Sequence, residues 1–173
     1  MLAYVFFHRP APGLETTVYE AALRRFHASL AEATPAGFAG SSTYRVREGY
    51  SDWYLVESSA ALDPLNEAAV TGARSSDHDA VAHMSADGAG KLLALVSGRA
   101  RFEPGFEIRF SKPAGMTYPE LYDRLKPWTD RPELTLWRRM MVLGPPPEFC
   151  LTAPSDQMLP AALSPESFAL ELV

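Results

Sequence analysis

The chain has 173 residues and a formal net charge of −5, because its 21 Asp and Glu outnumber its 16 Lys and Arg. Its hydrophobic fraction of 47% is typical of one ordinary globular domain or two small ones, and it excludes a fully disordered chain. The single cysteine, Cys150, excludes a disulfide scaffold and predicts a reducing compartment, the cytoplasm.

Charge and hydropathy also limit the expected partners. A nucleic-acid-binding protein needs a positive face, and the longest basic runs here are the pairs Arg24-Arg25 and Arg138-Arg139. The apolar run at the amino terminus is too short for a signal sequence or a membrane span. We therefore expect neither a nucleic-acid partner nor a membrane partner, and the sequence leaves monomer and homodimer open.

The first half begins with a predicted strand, helix and hairpin. Residues 2–8 are apolar on both alternating faces, as in a strand that is covered on both sides. Apolar residues then recur every four positions, which predicts an amphipathic helix over 15–33. Residues 43–47 and 53–57 alternate around a turn and predict two antiparallel strands.

The rest of the first half is predicted to be mostly helical. Asp63-Pro64 is typical of a helix start, and Asp77 is typical of a second start after a polar loop. A further helix is expected before Gly98, where four apolar residues follow helical spacing: Ala89, Leu92, Leu93 and Val96. A weak strand over 99–102 is predicted to end this half.

The second half is predicted to repeat the same order of elements. They are strand 106–110, helix 119–126, strand 134–143, strand 148–152, helix 157–163 and strand 168–172. Local similarity supports a repeat, because Phe7-His8-Arg9-Pro10 corresponds to Phe110-Ser111-Lys112-Pro113. Each half therefore has the order of the ferredoxin-like βαββαβ unit.

These elements predict an α+β fold of two ferredoxin-like βαββαβ units packed sheet to sheet. We place the first unit at 1–103 and the second, shorter unit at 104–173. Each unit carries its helices on one face of its sheet, so the other face needs a cover, which the second sheet can provide. The doubly apolar first strand agrees with a sheet that is covered on both faces.

The stretches YVFFHRP, DWYLV, FEIRFSKP and LWRRMMVLGPPPEFCL give the chain a resemblance to the dimeric α/β-barrel superfamily. It resembles a tandem pseudodimer of the EthD-like and small-monooxygenase type, and it matches no single characterised member. The superfamily also includes muconolactone isomerase-like and haem-handling proteins. The resemblance implies a small-molecule site between paired sheets, with chemistry that depends on positioning and desolvation more than on a signature motif.

Histidines are the candidates for proton transfer. His8 ends the first strand, where its side chain would reach the mouth of a cleft between the sheets, and an imidazole exchanges protons near neutral pH. His78 lies between Asp77 and Asp79, which can prepare it to act as a general base. For both residues an ordinary structural role stays open. His78 and His83 are five residues apart and diverge on a helix, so we predict no metal site.

Strand arginines and aromatic residues are the candidates for ligand binding. Arg45 and Arg138 lie in predicted strands, and a buried guanidinium must pair with an anion. Together with Trp53 and Tyr54 they suit a flat apolar molecule that carries a carboxylate, phenolate or enolate. The alternative is that these arginines lie at strand edges and meet glutamates or solvent.

Three functions follow from these residues. The first is binding of a small apolar or aromatic anionic ligand between the two sheets, without a cofactor, extending to cofactor-independent oxygenase or isomerase chemistry. The second is a non-catalytic structural or protein-interaction module on the same scaffold. The third is haem binding, with His8 or His83 as the axial ligand. Whether the protein is an enzyme stays open at this point.

Overall fold

The computed structural model describes residues 1–103 and 105–173. Within these ranges the chain forms eight strands and four α-helices. In chain order they are β1 (Leu2–Pro10), α1 (Thr16–Glu32), β2 (Phe38–Val46), β3 (Gly49–Val56), α2 (Leu62–Val70), α3 (Ser75–Met84), β4 (Ser85–Ser97), β5 (Gly105–Phe110), α4 (Tyr118–Thr129), β6 (Thr135–Arg139), β7 (Phe149–Ala153) and β8 (Glu166–Leu172).

The eight strands close into one antiparallel barrel in the order β1-β3-β2-β8-β5-β7-β6-β4. β1 to β4 are contiguous in the barrel, β5 to β8 are contiguous as well, and the two sets have the same relative order. The sets join through the pairs β2–β8 and β4–β6. The expected mixture of helices and antiparallel sheet is present. The halves differ from the expectation because they pair edge to edge in one closed sheet instead of packing as two separate sheets.

Side chains from both halves fill the barrel interior. Trp53 of β3 and Trp137 of β6 meet edge to face, with ring centroids 5.7 Å apart. The buried residues packed with them are Ala3, Val5, Tyr44, Leu55, Leu93, Cys150 and Leu170. A recess of about 20 Å³ beside Trp53 has room for about one water molecule. The prediction that a ligand cavity lies between the sheets is therefore wrong, because this space is a packed core.

The outer face of the second half is packed as well. α4 begins with a capping box at Thr117 and buries Leu121 and Leu125. Leu159 and Leu163, from the segment before β8, join the same core. The outward side chains of β5, β6 and β7 are covered by these residues.

The helices over the first half pack less completely. α1 buries a stripe that includes Tyr19, Leu23, Phe26 and Leu30, as its predicted amphipathic pattern requires. α2 buries Leu65, and none of the ten residues of α3, all of them described, is buried. Within the described ranges, no helix combines the length and the apolar character needed to span a bilayer.

β4 is the main element that the sequence pattern mispredicts. The expected helix is wrong because Ala89, Leu92, Leu93 and Val96 all belong to this strand. Leu93 points into the barrel core, and its neighbour Leu92 is also buried, on the other face of the sheet. A strand that is covered on both faces carries apolar residues at both alternating positions, and four of them here match helical spacing by coincidence.

Three smaller predictions also differ from the structure. β6 ends at Arg139, so the expected strand over 134–143 is shorter. The expected helix over 157–163 is only a 3₁₀ turn at Ala161–Leu163, and 99–102 is not a strand. The predicted boundary between the two units falls at residue 104, which lies outside the described ranges.

Candidate functional site

A cavity of about 590 Å³ lies between the outer face of the first-half sheet and the helices α1, α2 and α3. We call it the outer cavity. β1, β3 and β4 form its sheet wall, and the three helices form the facing helix wall. Its volume is within the range of small-molecule sites.

Two aromatic rings and two glycines shape the sheet wall. Tyr4 and Phe6 of β1 lie with their ring centroids 6.4 Å apart. A Cβ atom at Gly88 would come within 2.5 Å of Phe6, and one at Gly90 would come within 2.5 Å of the Tyr4 hydroxyl. The two rings can therefore extend across β4 because that strand carries no side chain at either position.

The helix wall is mostly apolar. Its polar residues are Asn66 and His78, and its apolar residues are Phe26, Leu30, Leu62, Leu65, Ala69, Val81 and Ala82. A flat apolar molecule between this wall and the rings of Tyr4 and Phe6 would lose water from both of its faces, which favours binding.

One end of the outer cavity is polar and is formed by Asp52, His8 and Ser85. Asp52 of β3 is a buried carboxylate. The Tyr54 hydroxyl donates to its Oδ2 at 3.2 Å, and the same oxygen lies 3.2 Å from His8 Nε2 and 3.6 Å from His27 Nε2. Its Oδ1 has no hydrogen-bond partner in the described part of the chain. Burial alone would raise the pKa of Asp52, but the two histidines outweigh this effect and hold that pKa well below its usual range. Asp52 is therefore an anion with one unsatisfied oxygen.

A chain of hydrogen bonds fixes the orientation of His8. Ser85 Oγ donates its hydrogen to the Val81 carbonyl at 2.7 Å. The Tyr19 hydroxyl, 2.7 Å from Ser85 Oγ, must then donate to that oxygen, and burial raises the pKa of Tyr19 to about 12. The Tyr19 oxygen accepts from His8 Nδ1 at 2.5 Å. His8 Nε2 lies 3.2 Å from Asp52 Oδ2 without forming a hydrogen bond in the described part of the chain, so the hydrogen bond to Tyr19 is the one that fixes the ring.

His27 of α1 lies behind the polar end, next to Asp52 and outside the cavity wall. Its Nδ1 lies 2.7 Å from Ser41 Oγ, and its ring stacks on Tyr54 with an interplanar angle of 17°. Sequence interpretation did not select His27 or Asp52. The spacing of each residue indicates the face on which it lies. His27 follows the buried Leu23 by four residues on α1, and Asp52 lies two residues before Tyr54, on the same outer face of β3.

Three of the six predicted site residues line the outer cavity: His8, Tyr54 and His78. His8 and Tyr54 belong to the sheet wall, and His78 belongs to the helix wall. The His78 Nδ1 lies 3.2 Å from Asp79 Oδ1, and its ring meets Phe26 edge on with centroids 5.7 Å apart. The structure thus brings these three residues to one cavity, on the outer face of the sheet instead of between two sheets.

Two of the other predicted residues face different regions. Trp53 belongs to the barrel interior. Arg45 forms an ion pair with Glu20 of α1 at 2.5 Å on the outer surface. The expectation that Arg45 faces the space between the sheets is wrong, because Tyr44 takes the inward position on β2.

Arg138 is also remote from the outer cavity. It pairs with Glu148 at 2.8 Å and lies over the Tyr118 ring at 3.8 Å from the centroid. Neither predicted anion-binding arginine therefore reaches the cavity. His83 is not part of the cavity wall, and its Nδ1 donates to the Asp79 carbonyl at 2.6 Å. Among the described residues, no group of three or more His, Cys, Asp or Glu side chains is arranged to hold a metal ion.

Comparisons with known proteins bear on the fold. No protein-family model and no curated protein matches the chain. Among solved structures, the crystal structure of Putative Chlorite dismutase TA0507 matches with a TM-score of 0.55 at 13% sequence identity, over 99% of this chain and 94% of that chain. Similarity at this identity concerns the fold alone. The chain therefore has a dimeric α/β-barrel fold, in agreement with the resemblance of its sequence.

Proposed function

We propose that the protein binds a small, flat, largely apolar molecule in the outer cavity. The observation that carries the proposal is the cavity itself, about 590 Å³ between two apolar walls with one polar end. Protein interiors are packed nearly as densely as organic crystals. A space of this size between a sheet and its helices is therefore better explained by a ligand than by loose packing.

The second half provides an internal comparison. Its strands have the same relative order, but its outer face is filled by α4 and by Leu159 and Leu163. Two similar sheets in one chain thus meet the same packing problem, and the first half leaves a cavity where the second half is packed. This contrast supports a cavity that is maintained for binding.

The contacts of His8 favour a binding function over proton transfer by this residue. Its Nδ1 donates to Tyr19, and its Nε2 lies in contact with Asp52 Oδ2 at 3.2 Å. A proton can pass from His8 to a bound molecule only after one of these contacts breaks. His78, on the facing wall, is the other candidate for proton transfer. Oxygenase or isomerase chemistry without a cofactor would use one of these two imidazoles.

The residues of the outer cavity do not fit haem. An axial ligand needs an imidazole nitrogen that faces open space, whereas His8 Nδ1 donates to Tyr19 and His8 Nε2 lies 3.2 Å from Asp52 Oδ2. His83 lies outside the wall. His78 offers an imidazole, but the permanently charged residues of the described wall are the carboxylates Asp52 and Asp87, which could not pair with haem propionates. No Lys or Arg belongs to the described wall of the cavity. We therefore derive no haem chemistry for this chain.

We also propose that the chain is a tandem pseudodimer with units at 1–103 and 104–173. The shared strand order of the two halves supports this division. The second unit is shorter because the 3₁₀ turn Ala161–Leu163 takes the place of α2 and α3. The barrel closes within one chain, so neither unit needs a second copy to complete its sheet.

Naphthalene binding tests the proposed site. We expect saturable binding to the wild-type protein, followed by naphthalene fluorescence. Ala69→Trp places an indole in the helix wall and should weaken binding at least about tenfold, since it fills the space the ligand needs. Ala31→Trp, on the exposed face of α1, is the matched control and should bind like the wild type.

The alternative function is a non-catalytic module, in which the polar end only ties β1 and β3 to α1. This alternative predicts no saturable naphthalene binding by the wild type, or equal binding by the wild type, Ala69→Trp and Ala31→Trp. Either result would overturn the proposed site.

A further inference from the structure

We propose that the ligand of the outer cavity presents an O–H or N–H donor to Asp52 Oδ1, so that the ligand class is a neutral or cationic donor and not an anion. This inference rests on the proposed function of the outer cavity. It replaces the anionic ligand that the sequence predicts with one of opposite polarity.

The first argument is the unequal environment of the two carboxylate oxygens of Asp52. Oδ2 has a hydrogen bond from Tyr54 and lies close to His8 and His27. Oδ1 has no partner within the described ranges, although Asp52 is only 2% exposed. A buried carboxylate oxygen needs a donor, and the outer cavity is the space from which a ligand can bring one.

The second argument is the direction of the hydrogen bonds around Asp52. His8 Nδ1 donates to Tyr19, and His8 Nε2 lies 3.2 Å from Asp52 Oδ2 without a hydrogen bond, so the carboxylate occupies the position next to that nitrogen that a ligand would need. The hydroxyl hydrogens of Tyr54 and Ser85 are also used, on Asp52 and on the Val81 carbonyl. The polar end of the cavity therefore offers an acceptor, Asp52 Oδ1, to a bound molecule.

The third argument is the charge of the cavity wall. Among its described residues the carboxylates are Asp52 and Asp87, and none is Lys or Arg. The strand arginines Arg45 and Arg138 pair with glutamates elsewhere. An anionic ligand would face an unpaired carboxylate oxygen without a permanent cation to balance it, whereas a donor would satisfy that oxygen.

A series of four naphthalene derivatives tests the inference. Naphthalene reports the cavity alone, 2-naphthol adds a donor, 2-acetylnaphthalene adds only an acceptor, and 2-naphthoate adds an anion. For the wild type we expect 2-naphthol to bind at least about tenfold more tightly than 2-acetylnaphthalene, because a site built around one hydrogen bond rejects the analogue that lacks it. We expect 2-naphthoate to bind most weakly.

Asp52→Asn should reverse this preference. The Tyr54 hydroxyl, which donates to Oδ2, holds the amide oxygen of the variant at that position, so its NH₂ group takes the place of Oδ1. An NH₂ group donates, so 2-acetylnaphthalene should bind the variant at least as tightly as 2-naphthol. Asp87→Asn is the matched control, because Asp87 lies on the same wall with a side chain 74% exposed, and it should keep the wild-type preference.

The outcomes separate this inference from the proposed function. Saturable binding of naphthalene without a preference for 2-naphthol would support the proposed site but contradict a hydrogen-bond donor on the ligand. Water would then satisfy Asp52 Oδ1 as well as the ligand does. Tighter binding of 2-naphthoate overturns the donor class in favour of an anion. Failure of naphthalene itself overturns the proposed function. The wild-type series decides the question even if Asp52→Asn does not fold.

Discussion

At the scale of single residues, Lys91 is a cation enclosed at one end of the barrel interior. It is 5% exposed, and its Nζ donates to the Pro147 carbonyl at 3.0 Å. Burial lowers the pKa of Lys91 to about 8, and the positive charges of Arg109 and Arg139 act in the same direction. The Glu107 carboxylate, which pairs with Arg109, offsets part of this effect. The folded protein thus holds an ammonium group in an unfavourable environment at neutral pH.

Lys91 should therefore make the free energy of unfolding rise with pH. The pKa of Lys91 is about 8 in the folded protein and 10.5 for an unperturbed lysine, so its side chain binds more protons in the unfolded chain between these pH values. Lys91 alone contributes a rise of about 2 kcal/mol from pH 8 to pH 10. Burial raises the pKa of the Cys150 thiol, so above about pH 9 the folded state keeps a proton that the unfolded chain releases, and this opposes the rise. Above pH 10 the raised pKa of Tyr19 has the opposite effect, because the folded state then holds the extra proton. Lys91→Met should remove the rise and be more stable at pH 7, as urea denaturation at each pH would measure.

Lys112→Met is the control for the loss of one ammonium group. Lys112 Nζ donates to the Met116 carbonyl at 2.6 Å, between β5 and α4. We expect this variant to keep the wild-type rise between pH 8 and pH 10. Equal pH profiles for the wild type and Lys91→Met over that range would contradict the role assigned to Lys91.

The candidate site could be predicted from the sequence only in part. His8 and Tyr54 stand out because polar or aromatic side chains end or line predicted strands, and His78 because it has acidic neighbours. Asp52 and His27 do not stand out, since a carboxylate in a strand and a histidine on a helix are each common. Only the packing of α1 on β3 brings them together, and sequence spacing does not encode that distance.

At the scale of elements, β4 contributes both to the barrel core and to the wall of the outer cavity. Its outward face carries Gly88 and Gly90 where Phe6 and Tyr4 lie across it, and Leu93 points into the barrel core. Because Gly88 and Gly90 have no side chains, β4 leaves room for the rings of Phe6 and Tyr4, which form the sheet wall of the outer cavity. The same glycines are poor helix formers, and they contradict the helical pattern of the neighbouring apolar residues.

Gly88→Ala should weaken ligand binding more than it weakens the fold. The new Cβ atom would lie 2.5 Å from the far end of the Phe6 ring, so this ring must move toward the cavity. Ring movement is cheaper than backbone movement, and we expect a loss of less than about 2 kcal/mol in the free energy of unfolding. Naphthalene affinity should fall several-fold, as fluorescence titration would measure.

A double variant identifies the cause of that loss. In Gly88→Ala combined with Phe6→Leu, the shorter side chain leaves room for the Cβ atom, so the two effects on naphthalene affinity should not add. Additive effects would show that the methyl group acts through the backbone of β4 instead.

Most other elements could be predicted from the sequence, because their periodicity is clear. β1, the β2–β3 hairpin and α1 follow alternating or four-residue spacing, and α4 begins close to its predicted start. The closure of the barrel could not be predicted in this way. It depends on hydrogen bonds between β2 and β8 and between β4 and β6, which are distant in sequence, and these pairings have no local signal.

At the scale of the whole molecule, the two halves share one core. The barrel interior is built from both, with Trp53 of the first half against Trp137 of the second. Neither half can bury its inward side chains without the other. The chain is thus expected to behave as one cooperative unit.

Unfolding should therefore occur in a single transition. Far-ultraviolet circular dichroism reports the helices, most of which belong to the first half, and tryptophan fluorescence reports the contact between the halves. We expect the two signals to give the same urea midpoint. Two separated midpoints would show that the halves unfold independently and would contradict a shared core.

The incomplete burial of α3 has a kinetic consequence. A molecule held beneath a helix with no buried residue can escape through local fluctuations of that helix, while the hydrogen-bonded barrel stays intact. Residence time and global unfolding rate are then governed by separate barriers. Amide hydrogen exchange in α3 would be faster than exchange in the strands. A tightly bound ligand would slow the exchange in α3.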